Sequence, residues 1–223
     1  MKSLAGTQSG SAVGSSARRT GKGGGGWGRT PHGWGGVKGV VWVLCLLPLT
    51  LLVWDAFTDG LGAEPIEAIT HRTGWWGLTL LLVTLAVTPV RRLTGWNRLI
   101  QLRRLLGLFA FFYVCLHFLT YLFDQDFALG YIVEDVVERP YITVGFTAFL
   151  LLIPLAITST KGMIRRLGKR WQRLHRLIYL IAGLGVLHFL WLVKADVREP
   201  LLFGAALAVL LAFRLPLLRN RSR

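Results

Sequence analysis

Six stretches of the chain are apolar over the length of a bilayer crossing, near residues 38–57, 74–90, 100–123, 140–158, 174–193 and 200–218. A membrane-spanning helix needs about 20 mainly apolar residues, so this pattern predicts an all-α integral membrane protein with six transmembrane helices. The first 36 residues have no such run. They are rich in Gly, Ser and Thr, with four consecutive glycines at 23–26, and a segment of that composition cannot bury a core. It reads as a disordered tail ahead of a six-helix domain over 37–218, which a short basic tail follows over 219–223.

The polar residues between the runs alternate in sign. Basic residues crowd before the first span, between the second and third, between the fourth and fifth, and after the sixth; of the 26, only Arg72, Arg139, Lys194 and Arg198 lie elsewhere. All 11 acids, from Asp55 to Glu199, fall in the other connections. Short cytoplasmic loops carry the basic excess, so both termini and both tails are expected in the cytoplasm.

Composition agrees. The chain is 53% hydrophobic with a mean hydropathy of +0.51 and a formal charge of +15, a combination foreign to soluble domains of this size. The pI near 11.0 invites a nucleic-acid partner, but basic residues spread over every cytoplasmic segment are what topology requires, and no such partner is expected. The seven basic residues between spans four and five, Lys161 to Arg176, would attract anionic membrane lipid. Cys45 and Cys115 lie within spans and read as small packing residues.

The chemistry lies in the histidines. An ionisable side chain within a span is costly unless used, and His117, His175 and His188 are so placed. His117 stands seven residues before Asp124, and His188 six before Lys194, so the two reach matching depth on spans that run the same way. Imidazole suits iron, and helix bundles build cofactor sites between facing helices. The pair predicts the axial ligands of a haem in the outer half of the membrane; the plainer alternative is two hydrogen-bonded core histidines. His175 is roughly 20 Å below His188 along the helix. It reads as a ligand of a second, inner haem or as an ordinary polar residue at the interface, and the level of Arg103 and Arg104 on span three offers it no histidine partner. An ideal helix turns roughly 220° between the two positions, so they do not share a face unless the helix is distorted. Gly183 and Gly185 between them would let a flat group approach. His71, in the outer loop before span two, is a solvated loop residue, part of the N-terminal cap region of that helix, or part of a partner-docking surface.

No C-x-x-C-H motif, nucleophile elbow, phosphate loop or dinucleotide fingerprint occurs. Any haem is non-covalent, and electrons must come from and go to other molecules.

The segments TPVRRLTGWNRLIQLRRLLGLFAFFYVCLHFLTYLFDQD, LAITSTKGMIRRLGKRWQRLHRLIYL, GVLHFLW and PIEAITHRTGWWGL together resemble the MsrQ (YedZ) family, and more distantly the ferric-reductase-like transmembrane domain, from which the chain departs by lacking one of four haem-binding histidines and the soluble flavin domain. The resemblance implies a multi-pass b-type cytochrome of the bacterial inner membrane, with one or two haems b. It would be the electron-transfer subunit, not the catalytic one, of a methionine-sulfoxide-reducing system that repairs oxidised periplasmic proteins. It further implies electrons from the quinone pool or a cytoplasmic flavin reductase, a periplasmic molybdopterin partner, MsrP, and an FMN. Arg103, Arg104 and Arg176 are candidates for the flavin phosphate or a haem propionate. The acidic outer segment, with Asp124, Asp126, Glu134 and Asp135, is the candidate docking surface, joined by His71. The alternatives are a ferric-reductase-type cytochrome with another partner and a transporter with a histidine relay.

Overall fold

The computed structural model describes residues 34–214. Among these the helices are α1 (Trp34–Phe57), α2 (Pro65–Thr94), a 3-10 turn (Asn97–Gln101) leading into α3 (Leu102–Asp124), α4 (Leu129–Glu138), α5 (Pro140–Ile157), α6 (Lys161–Leu167), α7 (Lys169–Leu174), α8 (Leu177–Leu192) and α9 (Arg198–Ala212). Five segments, 35–57, 65–94, 97–124, 140–157 and 169–192, are long and apolar enough to cross a membrane. The chain is a multi-pass, all-helical membrane protein.

Several boundaries depart from the hydropathy pattern for local reasons. α1 starts at Trp34, inside the expected tail; the rest of that tail and the basic tail at 219–223 lie outside the described residues. α2 is longer than its apolar run at both ends. Pro65 in its first turn needs no hydrogen-bond acceptor, and Glu67 complements the helix dipole. Gly95 stops it in the left-handed region at φ 72, its N–H returning to the Arg91 carbonyl. His71 therefore sits within α2 and not in a loop. The fifth expected span is two helices, α7 and α8, broken at His175 and Arg176. The sixth, α9, has 15 described residues, fewer than a full crossing takes. α4, at 10 residues, is too short to show as a crossing; it is amphipathic, burying Ile132 and exposing Glu134, and Asp126 and Phe127 turn the chain into it at positive φ.

The core is built around α2. Leu80, Leu81, Leu82 and Leu85 meet Leu106, Phe109 and Ala110 of α3, Leu152 and Leu155 of α5, and Ile181 and Ala182 of α8. α2 with α3 and α5 with α8 form the two closest helix pairs. At α2 and α3 the approach is close enough that a Cβ on Gly77 would meet the Val114 side chain at 2.9 Å, the role small residues play between membrane helices.

Prolines interrupt the helices, and side chains from elsewhere repair the ladder. Pro89 has no N–H for the Leu85 carbonyl four residues earlier, and the Arg214 guanidinium supplies one at 2.8 Å. Arg214 also lies over the Tyr179 ring, 4.7 Å from its centroid, and donates to its hydroxyl. Pro48 lies inside α1, and beside it the Tyr113 hydroxyl donates to the Cys45 carbonyl at 2.8 Å and accepts from the Leu49 N–H at 3.1 Å. These two contacts tie α9 and α1 to the central helices.

The Arg214→Leu variant is expected to lose about 1 kcal/mol, the scale of interhelical polar contacts in membranes, seen as a lower melting temperature in detergent. Adding Pro89→Ala should restore part of the loss by giving Leu85 a backbone donor. An additive or larger loss in the double variant would contradict the pairing.

Candidate functional site

α3 and α8 present His117 and His188 to one another with ring centroids 6.1 Å apart and planes at 79°. Each ring is held from behind by a backbone carbonyl. His117 Nδ1 is 2.8 Å from the Thr70 carbonyl of α2, and His188 Nδ1 is 2.7 Å from the Tyr141 carbonyl of α5. Hydrogen bonds to carbonyls place the ring protons on Nδ1 and leave each Nε2 with its lone pair. This is how a protein prepares an imidazole as a metal ligand.

The two halves are built alike. In each, the carbonyl lies 47 residues before its histidine. A carbonyl within a helix is already bonded to the N–H four residues on, but it has a second lone pair. The residue four positions after Thr70 is Gly74, and after Tyr141 it is Gly145. A Cβ on Gly74 would stand 2.9 Å from His117 Nδ1, and one on Gly145 would stand 2.7 Å from His188 Nδ1. Glycine opens the carbonyl, and the imidazole fills the opening. The phrase Leu-His-Phe-Leu occurs at both places, 116–119 and 187–190. One interval separates Thr70 from Tyr141, Gly74 from Gly145 and His117 from His188; this repeat was the signal in the sequence that could have revealed the carbonyls and glycines.

The rings border a cavity of about 970 Å³. Its floor is apolar, with Leu81, Ala148, Leu152, Ile181 and Gly185, and its mouth, at the acidic end of the bundle, is polar. Among the expected docking residues, Asp124 and Asp135 line this mouth, whereas Asp126 and Glu134 are exposed beside it. Asp135 accepts from the Tyr121 hydroxyl at 3.2 Å and pairs with Arg139 at 3.1 Å. His71 also borders the mouth, edge-on to Phe189 with centroids 5.9 Å apart.

Other expected residues are not brought to this cavity. Arg103, Arg104 and Arg176 stand at the basic ends of α3 and α8, roughly 20 Å of helix away from His117 or His188, and none lines it. His175 does not line it either. It stacks on Trp171 with centroids 3.9 Å apart, its Nδ1 is 3.1 Å from the Trp171 carbonyl, and its Nε2 is 3.5 Å from the Ser159 hydroxyl. Gly185 belongs to the cavity floor, but Gly183 has nothing within 4 Å of an added Cβ.

What the pair could hold follows from its chemistry. Among the described residues, no cluster of three or more His, Cys, Asp or Glu could hold a metal ion, so a bare ion would lack ligands. A metalloporphyrin would bring four ligands of its own, and the two imidazoles, His117 and His188, would hold it. Two metal–nitrogen bonds of about 2 Å, extended by half an imidazole at each end, separate trans ring centroids by about 6 Å. The observed 6.1 Å, the free Nε2 atoms and the apolar cavity all fit such a group.

Residues 73–186 match the family described as ferric reductase like transmembrane component, a span that includes His117 and His175 and ends just short of His188. The chain is also similar to the protein-methionine-sulfoxide reductase heme-binding subunit MsrQ of Herminiimonas arsenicoxydans, at 58% identity over 80% of this chain and 84% of that protein. The MsrQ of Rhodospirillum rubrum is 58% identical over 81% and 88%, and that of Xanthomonas campestris pv. campestris strain 8004 is 55% identical over 79% and 84%. No solved structure matches the chain at a significant level. With a closely similar sequence over most of both chains and the facing histidines in place, the chain belongs to the MsrQ family of haem-binding subunits of protein-methionine-sulfoxide reductases, with a membrane domain of the ferric reductase type.

Proposed function

We propose that the chain is a b-type cytochrome of the bacterial inner membrane that passes electrons to a periplasmic molybdopterin methionine-sulfoxide reductase, MsrP, from the quinone pool or a cytoplasmic flavin reductase. The observation that carries this reading is the pair of facing imidazoles, each fixed at Nδ1 by a carbonyl. When bound, haem supplies reversible one-electron chemistry. The chain's own residues set the conditions for it. His117 and His188 ligate through Nε2, the Thr70 and Tyr141 carbonyls hold both rings in one tautomer, and the apolar floor keeps water away.

A relay that moves protons through histidines needs rings free to donate and accept on both nitrogens. Here one nitrogen of each is committed to a carbonyl, which supports the cytochrome reading over a transporter. With the charge asymmetry, we place both termini in the cytoplasm, count six crossings by including α9, and set the cavity mouth toward the periplasm. His175 remains a candidate for a second, inner haem. Arg103 of α3 lies within electrostatic reach of it. Arg103, Arg104 and Arg176 are then better assigned to an anion at the basic end, the FMN phosphate being the candidate. Asp124, Asp126, Glu134, Asp135 and His71 form the proposed docking surface for the partner.

Three outcomes test this. His117→Ala and His188→Ala should each remove the visible absorption of this haem, whereas His175→Ala keeps it; full haem in the first two would overturn the pairing. Gly145→Ala should weaken haem retention by at least roughly tenfold, because its Cβ takes the place of the His188 ring and displaces it from the Tyr141 carbonyl, a loss of the size seen for groups that orient metal ligands. Retention equal to wild type would contradict the role of that glycine. Asp126→Lys with Glu134→Lys should slow electron delivery to the partner while haem content stays unchanged, and unaltered delivery would count against docking there.

A further inference from the structure

The mouth of the cavity carries an electrostatic problem. Glu64, Glu67, Asp124, Asp135 and Asp196 all border it, against two cations, Arg139 and Lys194. A haem b has two carboxylates on one edge. The floor of the cavity offers no cation and no polar group to receive them, and burying an unpaired carboxylate is strongly unfavourable. That edge must therefore face the mouth, where five protein carboxylates would repel it.

We infer that Arg139 and Lys194 form a clamp for the two carboxylates of the haem. This rests on the reading that the cavity between His117 and His188 holds haem. The two cations are half of the four that lie among the acidic connections; the others, Arg72 and Arg198, are paired with Asp55 and held near Asp196 respectively. Arg139 is prepared for the task. Its Nε is taken by Asp135 at 3.1 Å, and Asp135 is in turn held by the Tyr121 hydroxyl. Tyr141 lies within hydrogen-bonding reach of the same guanidinium, whose fork geometry matches a carboxylate. Arg139 also immediately precedes α5, two residues before the Tyr141 carbonyl that holds His188, so the turn that carries Arg139 also carries the support of the His188 ring. Lys194 stands just beyond the end of α8, the helix that carries His188.

The clamp gives the group a direction: carboxylate edge to the mouth, apolar edge to the floor. It also makes the edge nearest the acidic surface the natural way out for an electron.

The test compares binding of haem b and of haem b dimethyl ester, which lacks the charged carboxylates, to haem-free full-length protein in detergent, read by absorption. Wild type should prefer haem by roughly tenfold or more, the scale of one charge-assisted contact. Arg139→Gln with Lys194→Gln should bring the two affinities together, chiefly by weakening haem; Arg139→Lys with Lys194→Arg should keep the preference, as should Arg198→Gln. Equal binding of both compounds by wild type, or a preference that survives the double Gln variant, overturns the clamp. So does an Arg198→Gln effect as large as that of the double variant. If His117→Ala with His188→Ala still binds haem, the cavity reading itself fails; if that variant binds neither compound while the Gln variant keeps its preference, only the clamp fails.

Discussion

The structure depends on one kind of contact made twice: a backbone carbonyl inside a helix that accepts a second hydrogen bond from a histidine on the next helix. Thr70 to His117 and Tyr141 to His188 are each possible because a glycine, Gly74 or Gly145, leaves the carbonyl open. In a membrane interior a polar group without a partner is costly, and the second lone pair of the carbonyl gives the imidazole N–H its partner. The same bond leaves the far nitrogen of each ring free and aimed across the cavity. The packing of α2 on α3 and of α5 on α8 follows from it, since each pair must lie close enough for the contact.

Elsewhere side chains reach the backbone beside prolines. Pro89 strands the Leu85 carbonyl and Arg214 answers it; in α1, next to Pro48, Tyr113 bridges the Cys45 carbonyl and the Leu49 N–H. These repairs are structural and lie outside the main cavity. The two ends of the bundle differ. At the acidic end His117 and His188 face one another; toward the basic end the helix breaks at His175, whose ring is occupied by Trp171, Trp171's carbonyl and Ser159.

Much of this was legible in the chain. Apolar runs located the helices that cross, and counting residues from the charged ends put His117 and His188 at one depth, which their 6.1 Å separation bears out. Three things were not legible from hydropathy. An average over a bilayer-length window cannot see α4, because it has only 10 residues, three of them acidic, nor the extension of α2 to Pro65, because Glu67, His71 and Arg72 dilute its first turns; hence His71 read as a loop or helix-cap residue. The break at His175 carries no proline or glycine to announce it. Arg103 and Arg104 are the conspicuous cations of α3, but helix rise alone sets them far from His117 and His188. The repeat of Leu-His-Phe-Leu, with glycines at the same interval, was present in the sequence and would have pointed to the carbonyls.

The central claim is that both imidazoles bind one iron through Nε2 with their planes nearly perpendicular. Low-temperature electron paramagnetic resonance of the oxidised, haem-loaded protein tests it most directly. Two axial imidazoles at about the 79° seen between the rings predict a low-spin ferric signal of the strongly anisotropic type that crossed imidazole planes produce. A high-spin signal, as from iron held by a single histidine, would contradict the account.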